Sequence, residues 1–163
     1  METEQEKRQR RVCFTGHRPE KLTRSEAEIR QELDRCIRQA AAQGKTVFIT
    51  GMARGTDIWA AQTVLALRAE GEPVRLLCAC PYAGFDAYFG SGWRRQSRAV
   101  LAAADGVRVL SPVYHTGCFS ARNRWMVDHA SAVIAVYSGQ AGGTAQTLRY
   151  AEQAGLPVTV IDG

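Results

Sequence analysis

The sequence has no Cys-x-x-Cys pair, no Gly-x-Gly-x-x-Gly run and no Gly-x-x-x-x-Gly-Lys-Ser/Thr loop. The first absence, with an odd count of five cysteines (Cys13, Cys36, Cys78, Cys80, Cys118), disfavours a zinc ribbon or a disulfide framework and points to a reducing compartment. The other two set aside the standard dinucleotide fingerprint and the Walker-type NTPase loop. No apolar run approaches a membrane span. Met1 to Arg11 are polar, without the apolar stretch of a secretory signal, so the expected setting is cytoplasmic, with no membrane partner. Charge of one sign is also sparse: the net charge is +5, enough to favour anionic ligands but short of the basic stripe of a dedicated nucleic-acid binder.

What is there is ordinary globular composition, 45% apolar and 23% charged over 163 residues, which fits one domain with one sizeable core. Residues 1–11 are expected to be a disordered polar leader; a basic contact arm at Lys7, Arg8, Arg10 and Arg11 is the alternative. From residue 12 short β-branched runs alternate with helical periods. Strands are expected at 12–15, 46–50, 74–79, 107–110, 132–137 and 157–161, and helices at 24–43, 57–70, 93–104, 120–130 and 143–154. Ile29, Leu33, Cys36, Ile37, Ala40 and Ala41 mark one helical face. Thr23 with Glu26, or Ser25 with Glu28, supplies its capping box, and Gly44 its end. Ser120 is the expected cap of the helix that follows. Helices between all successive strands require crossovers, hence a three-layer, Rossmann-like α/β domain over 12–163, a mainly parallel six-stranded sheet with helices on both faces.

In such sheets ligands bind beyond the carboxyl ends of the strands, where strand order reverses. The unusual residues collect in those loops: Gly16, His17 and Arg18 after the first strand, Gly51, Gly55 and Asp57 after the second, Pro81 and Tyr82 after the third, Gly142, Gly143 and Thr144 after the fifth. Glycines opening a helix bring free N–H groups and a positive dipole to a phosphate; a plain tight turn accounts for them equally well. Arg18 suits a bidentate phosphate contact. His17 suits proton transfer or a donor role, or a purely structural one. Asp57 suits either a helix cap or a hydrogen bond to a ligand hydroxyl. Arg122, with Asn123, stands in the first turn of a helix whose dipole it opposes, which hints at another reason for it. Trp93 with Arg94, Arg95 and Arg98 reads as core packing with solvated arginines, or as a stacking edge. Cys78 and Cys80 read as core; no metal site is expected.

Phe14-Thr15-Gly16-His17-Arg18-Pro19, Gly51-Met52-Ala53-x-Gly55-x-Asp57, Cys80-Pro81-Tyr82, Arg122-Asn123-Arg124-Trp125-Met126-Val127-Asp128 and Gly142-Gly143-Thr144 together resemble the SLOG superfamily. That group joins the Smf/DprA DNA-processing proteins and the LOG-type phosphoribohydrolases, and the match is closest to the YpsA-type family of small bacterial proteins. The resemblance spans Cys13 to Gly163. It implies a Rossmann-like fold and a nucleotide-type ligand such as NAD, ADP-ribose or a nucleoside monophosphate, which some members cleave and others sense.

LOG-type hydrolases carry Arg-Lys-x-x-Met and Pro-Gly-Gly-x-Gly-Thr-x-x-Glu. Here Asn123 replaces the lysine, Gly139-Gln140-Ala141 replaces Pro-Gly-Gly, and Thr147 stands where the catalytic glutamate would be. Cleavage of a base from ribose needs an acid, which Thr147 is not; Asp57 with Arg122, or Asp128, would have to serve. The expected function is therefore a nucleotide-binding, sensor-type domain. A nucleotide-processing hydrolase and a single-stranded nucleic-acid binder are the alternatives, and a homo-oligomer is compatible with all three.

Overall fold

A computed structural model describes residues 1–163. Six parallel strands lie in the order β4-β3-β2-β1-β5-β6: β1 (Arg11–Gly16), β2 (Val47–Thr50), β3 (Arg75–Cys80), β4 (Gly106–Val109), β5 (Ala132–Tyr137) and β6 (Val158–Asp162). The central strand is buried from Val12 to Thr15. Its near-continuous apolar run suits a parallel strand covered on both faces. Val12 sits opposite Phe48 on one side and Ala132 on the other, which fixes the register at the middle of the sheet.

Side chains alternate across that strand. Val12 and Phe14 enter the larger core, under α2 (Glu26–Ala42), α3 (Thr56–Ala69) and α4 (Ser91–Ala103). Cys13 faces the smaller core, under α5 (Cys118–Asp128) and α6 (Gly143–Gln153). Ile29, Leu33, Cys36 and Ile37 form the buried stripe of α2, and Ser25 caps it by accepting from the Glu28 N–H at 3.2 Å. The α3 helix is buried on nearly every side, from Thr56 to Ala61 and again at Val64 and Leu67. That fits its place between the sheet and its neighbours α2 and α4. Trp93 belongs to the same core, its ring centroid 6.2 Å from that of Trp59, so the core reading of Trp93 holds over a stacking edge.

The elements differ from the sequence reading at both chain-terminal and helix-terminal points. Residues 4–9 are helical rather than disordered: α1 (Glu4–Gln9) is closed by a capping box between Thr3 and Glu6. The leader's arginines turn inward as well. Arg8 Nε donates to the Ala130 carbonyl at 2.8 Å and Arg11 to His129 O at 3.4 Å, satisfying carbonyls at the end of α5. The α5 helix starts at Cys118 behind Gly117 in the left-handed region, φ 88°, which places Ser120 inside the helix rather than at its cap. No helix is long and apolar enough to cross a membrane.

The order of strands places the reversal between β1 and β5. From β1 the chain winds outward through β2 and β3 to the edge strand β4. It then crosses by α5 to β5, on the other flank of β1. The loops after β1 and β5 therefore diverge and leave a crevice at their carboxyl ends.

Candidate functional site

A cleft of about 560 Å³ occupies that crevice, within the size range of small-molecule sites. Gly16, His17, Arg18, Asp57, Pro81, Arg122, Asn123, Gly142, Gly143 and Thr144 all line it. Five separate segments are thus brought to one place by the carboxyl ends of four strands and the start of α5.

Three glycines act by closeness. A β-carbon on Gly16 would lie 2.3 Å from Thr56 Cγ2, so the end of β1 can meet the start of α3 only through a residue without one. Thr56 locks the contact by donating to the His17 carbonyl at 3.1 Å. Gly51 lies beneath the lining: its carbonyl accepts from Arg122 Nη1 at 2.5 Å. Gly55, with φ 86°, precedes α3 and abuts Pro19. Gly51 and Gly55 therefore shape the cleft from behind. Tyr82 is the third expected residue outside the lining; it stands beside it, against Phe119.

Asp57 does not cap α3, because it lies inside the helix, second after Gly55. Its Oδ2 instead accepts from the Ala53 N–H at 3.2 Å and so holds the loop after β2. Met52 in that loop has φ 65° and is fully buried, a strained conformation for a non-glycine residue of the kind that gathers at functional sites. Burial pushes the Asp57 carboxyl up to about 6, against the pull of the Arg122 guanidinium and the Ala53 N–H. Burial also lowers the Arg122 pKa. His17 is depressed by burial and then by nearby Lys21, which favours the neutral imidazole.

Two buried side-chain atoms find no partner within the protein: His17 Nε2 and Asp57 Oδ1. Their residues are 3% and 5% exposed, and both line this cleft. Buried polar groups are almost always satisfied, so two such atoms in one crevice point to a ligand. Around them the lining is basic. Arg18 is exposed, and Lys21 Nζ donates to the Ala141 carbonyl at 3.2 Å just before α6. A lysine beside the positive end of a helix is electrostatically unfavourable unless an anion joins them.

Sequence reasoning missed Lys21, Met52, Phe85, Phe89, Phe119 and Gln146, all of which line the cleft. Gln146 joins α6 to α5, accepting from Ser120 Oγ at 3.2 Å and Asn123 Nδ2 at 3.4 Å. Of the acids considered for chemistry, only Asp57 reaches the cleft; Asp128 is exposed and outside its lining. Thr147 is fully buried and returns its hydroxyl to the Gly143 carbonyl at 3.0 Å.

A family model for the YspA SLOG family matches residues 12–162. The chain belongs to the YspA SLOG family. The chain is similar to an uncharacterised SPbeta prophage-derived protein, YoqJ, of Bacillus subtilis. It is 27% identical over 123 residues, covering 68% of this chain and 72% of YoqJ. A UPF0398 protein of Levilactobacillus brevis is 27% identical over 145 residues, covering 82% and 75%. In fold the chain is similar to DNA processing protein A of Helicobacter pylori, a protein with a single-stranded DNA binding mode, with TM-score 0.65 at 21% identity over 94% of this chain. The Streptococcus pneumoniae DNA processing protein A gives 0.66 at 19% identity over 95%. This chain spans 65% and 51% of those two chains.

Proposed function

We propose that the cleft binds a nucleotide or nucleotide-derived small molecule and that the protein works as a sensor-type binding domain. The observation that carries this reading is the pair of unpartnered buried atoms, His17 Nε2 and Asp57 Oδ1, in one basic cleft at the sheet's reversal point. The Gly142, Gly143 and Thr144 turn at the head of α6, with Lys21 and Arg18, suits a phosphate. Asp57 Oδ1 suits a ribose hydroxyl, and Phe85 and Phe89 offer a wall for a planar base. The lining runs from the loop after β5 to the loop after β3, three inter-strand steps or about 14 Å, a length that fits phosphate, sugar and base in a row.

Mass spectrometry of small molecules released by denaturing freshly purified protein tests this, together with thermal shifts in AMP, ADP-ribose and NAD. A retained nucleotide, or a clear upward shift, is expected. An empty protein with no shift in any of the three would overturn the reading.

A second reading is hydrolysis of the base–ribose bond, favoured by the position of Asp57 in the cleft with a pKa pushed up to about 6. Water adds to the anomeric carbon as the glycosidic bond breaks, Asp57 donates the proton that leaves with the base, and the proton shed by the water returns to the Asp57 carboxylate. Chromatography of nucleoside monophosphates incubated with the protein decides it: base release that vanishes in Asp57→Asn supports hydrolysis, and intact nucleotide supports binding alone. The likeness to DNA processing protein A raises single-stranded DNA as a third ligand. That reading requires steeply salt-dependent binding of an oligonucleotide, and salt-insensitive or absent binding disposes of it.

A further inference from the structure

Three aromatic rings stand together just outside the cleft. Tyr82 follows β3, Tyr114 lies in the loop after β4, and Phe119 is in the first turn of α5. The Tyr82 ring meets Tyr114 edge-on at 5.5 Å between centroids and Phe119 at 6.1 Å, while Tyr114 and Phe119 are 6.4 Å apart. Tyr114 remains 61% exposed and Phe119 48%. Only Tyr82 leans on the core; the other two present ring surface to solvent, and neighbouring Val113 is exposed beside them. A contiguous exposed aromatic surface is unusual and marks a binding surface more often than a core left uncovered.

This shelf continues the cleft, because Phe119 belongs to both. The Arg122 guanidinium lies over the Phe119 ring, 5.7 Å from its centroid. Chemistry therefore changes in order along the strand tips. Lys21 and the glycine turn of α6 come first, then Asp57 and Arg122, then the inner wall of Phe85 and Phe89, and last the open shelf. From the loop after β5 to the loop after β4 there are four inter-strand steps, about 19 Å, longer than one nucleoside monophosphate. Of the three rings only Phe119 has a guanidinium over it, that of Arg122, so the outer face of the shelf suits a flat, uncharged group.

We propose that the ligand is of the dinucleotide class, two ring systems joined through phosphates, with one ring against Phe85 and Phe89 and the second stacked on Tyr114 and Phe119. This rests on the nucleotide reading of the same cleft. A nucleoside monophosphate fills the inner part alone, and the shelf adds affinity only for a ligand that carries a second ring.

Calorimetric titration of AMP, NAD and an oligothymidine into wild-type protein, Tyr114→Ala and Tyr114→Phe tests it. Tyr114 is exposed, and thermal unfolding of each variant checks that the fold is kept. The wild type is expected to bind NAD more tightly than AMP. Tyr114→Ala is expected to weaken NAD by roughly five- to a hundred-fold, the range of one lost ring stack, with AMP nearly unchanged and Tyr114→Phe close to wild type. Equal weakening of AMP and NAD, or no weakening of either, overturns the proposal while leaving the nucleotide reading in place. Absence of any wild-type nucleotide binding overturns both. Oligothymidine binding that depends on Tyr114, with NAD indifferent to it, assigns the shelf to single-stranded nucleic acid and also overturns the proposal.

Discussion

Asp57 and Arg122 converge on Gly51: a β-carbon on Gly51 would stand 3.0 Å from Asp57 Oδ2 and 3.0 Å from Arg122 Nε. One buried acid and one buried base thus share the space that a side chain would fill, and Arg122 also holds the Gly51 carbonyl. Gly51→Ala is expected to push them apart and to cost roughly 1–3 kcal/mol, as overpacking of a filled site does. Urea unfolding measures the stability loss, and the nucleotide-induced thermal shift should vanish with it.

Removing the base has a different consequence. Arg122→Ala leaves the Gly51 carbonyl and Asn123 Oδ1 without their donor, at a cost of about 1–3 kcal/mol for each group that water cannot reach. Arg122→Lys is not expected to restore ligand binding, since an ammonium cannot serve both acceptors in the guanidinium's fixed geometry. Unfolding curves and calorimetry on the two variants separate stability from recognition; a fully active Arg122→Lys would contradict the assignment.

The raised Asp57 pKa makes stability depend on pH in a definite direction. The folded protein holds the proton up to about pH 6, whereas the ordinary carboxyl releases it near 3.8. The contribution of this group is therefore fully present below the unfolded value and lost as pH rises through the folded one, up to about 3 kcal/mol in all. Comparing urea midpoints of wild type and Asp57→Asn between pH 4 and pH 7 isolates it. The difference between the two should move in favour of Asp57→Asn as pH rises, and a constant difference would refute the burial argument.

Lys21 offers a test of the anion site that leaves the core untouched. Lys21→Gln removes the charge beside the head of α6 while keeping a hydrogen-bonding side chain. Affinity for an anionic nucleotide is expected to fall several-fold at low salt, with the gap closing as salt screens the remaining charge. Titrations at two ionic strengths read both effects.

Much of this was legible in the sequence, because a parallel sheet writes itself as alternating apolar runs and helical periods, and its ligand loops follow the strands. That logic alone points to Gly142-Gly143-Thr144, His17 and Asp57, all of which line the cleft. Strand order was not legible: only tertiary pairing shows that β5 returns beside β1. The sequence marks Gly51 and Gly55 as ligand contacts, whereas the fold sets them behind the lining, where they let Arg122 and Pro19 approach. Lys21 and the phenylalanines lie away from the immediate strand ends, and their entry into the cleft depends on how those segments fold back. The Glu4–Gln9 helix has no apolar face for the sequence to show; Thr3, Glu6 and the Arg8 contact with the end of α5 hold it instead.

The most direct test of the cleft as a nucleotide site is an amide-resonance titration of isotope-labelled protein with AMP and NAD. Saturable shifts are expected at Gly16, His17, Gly142, Gly143 and Thr144, with the far ends of β4 and β6 unmoved. Shifts absent from the turn at the head of α6, or confined to another face of the sheet, would contradict it.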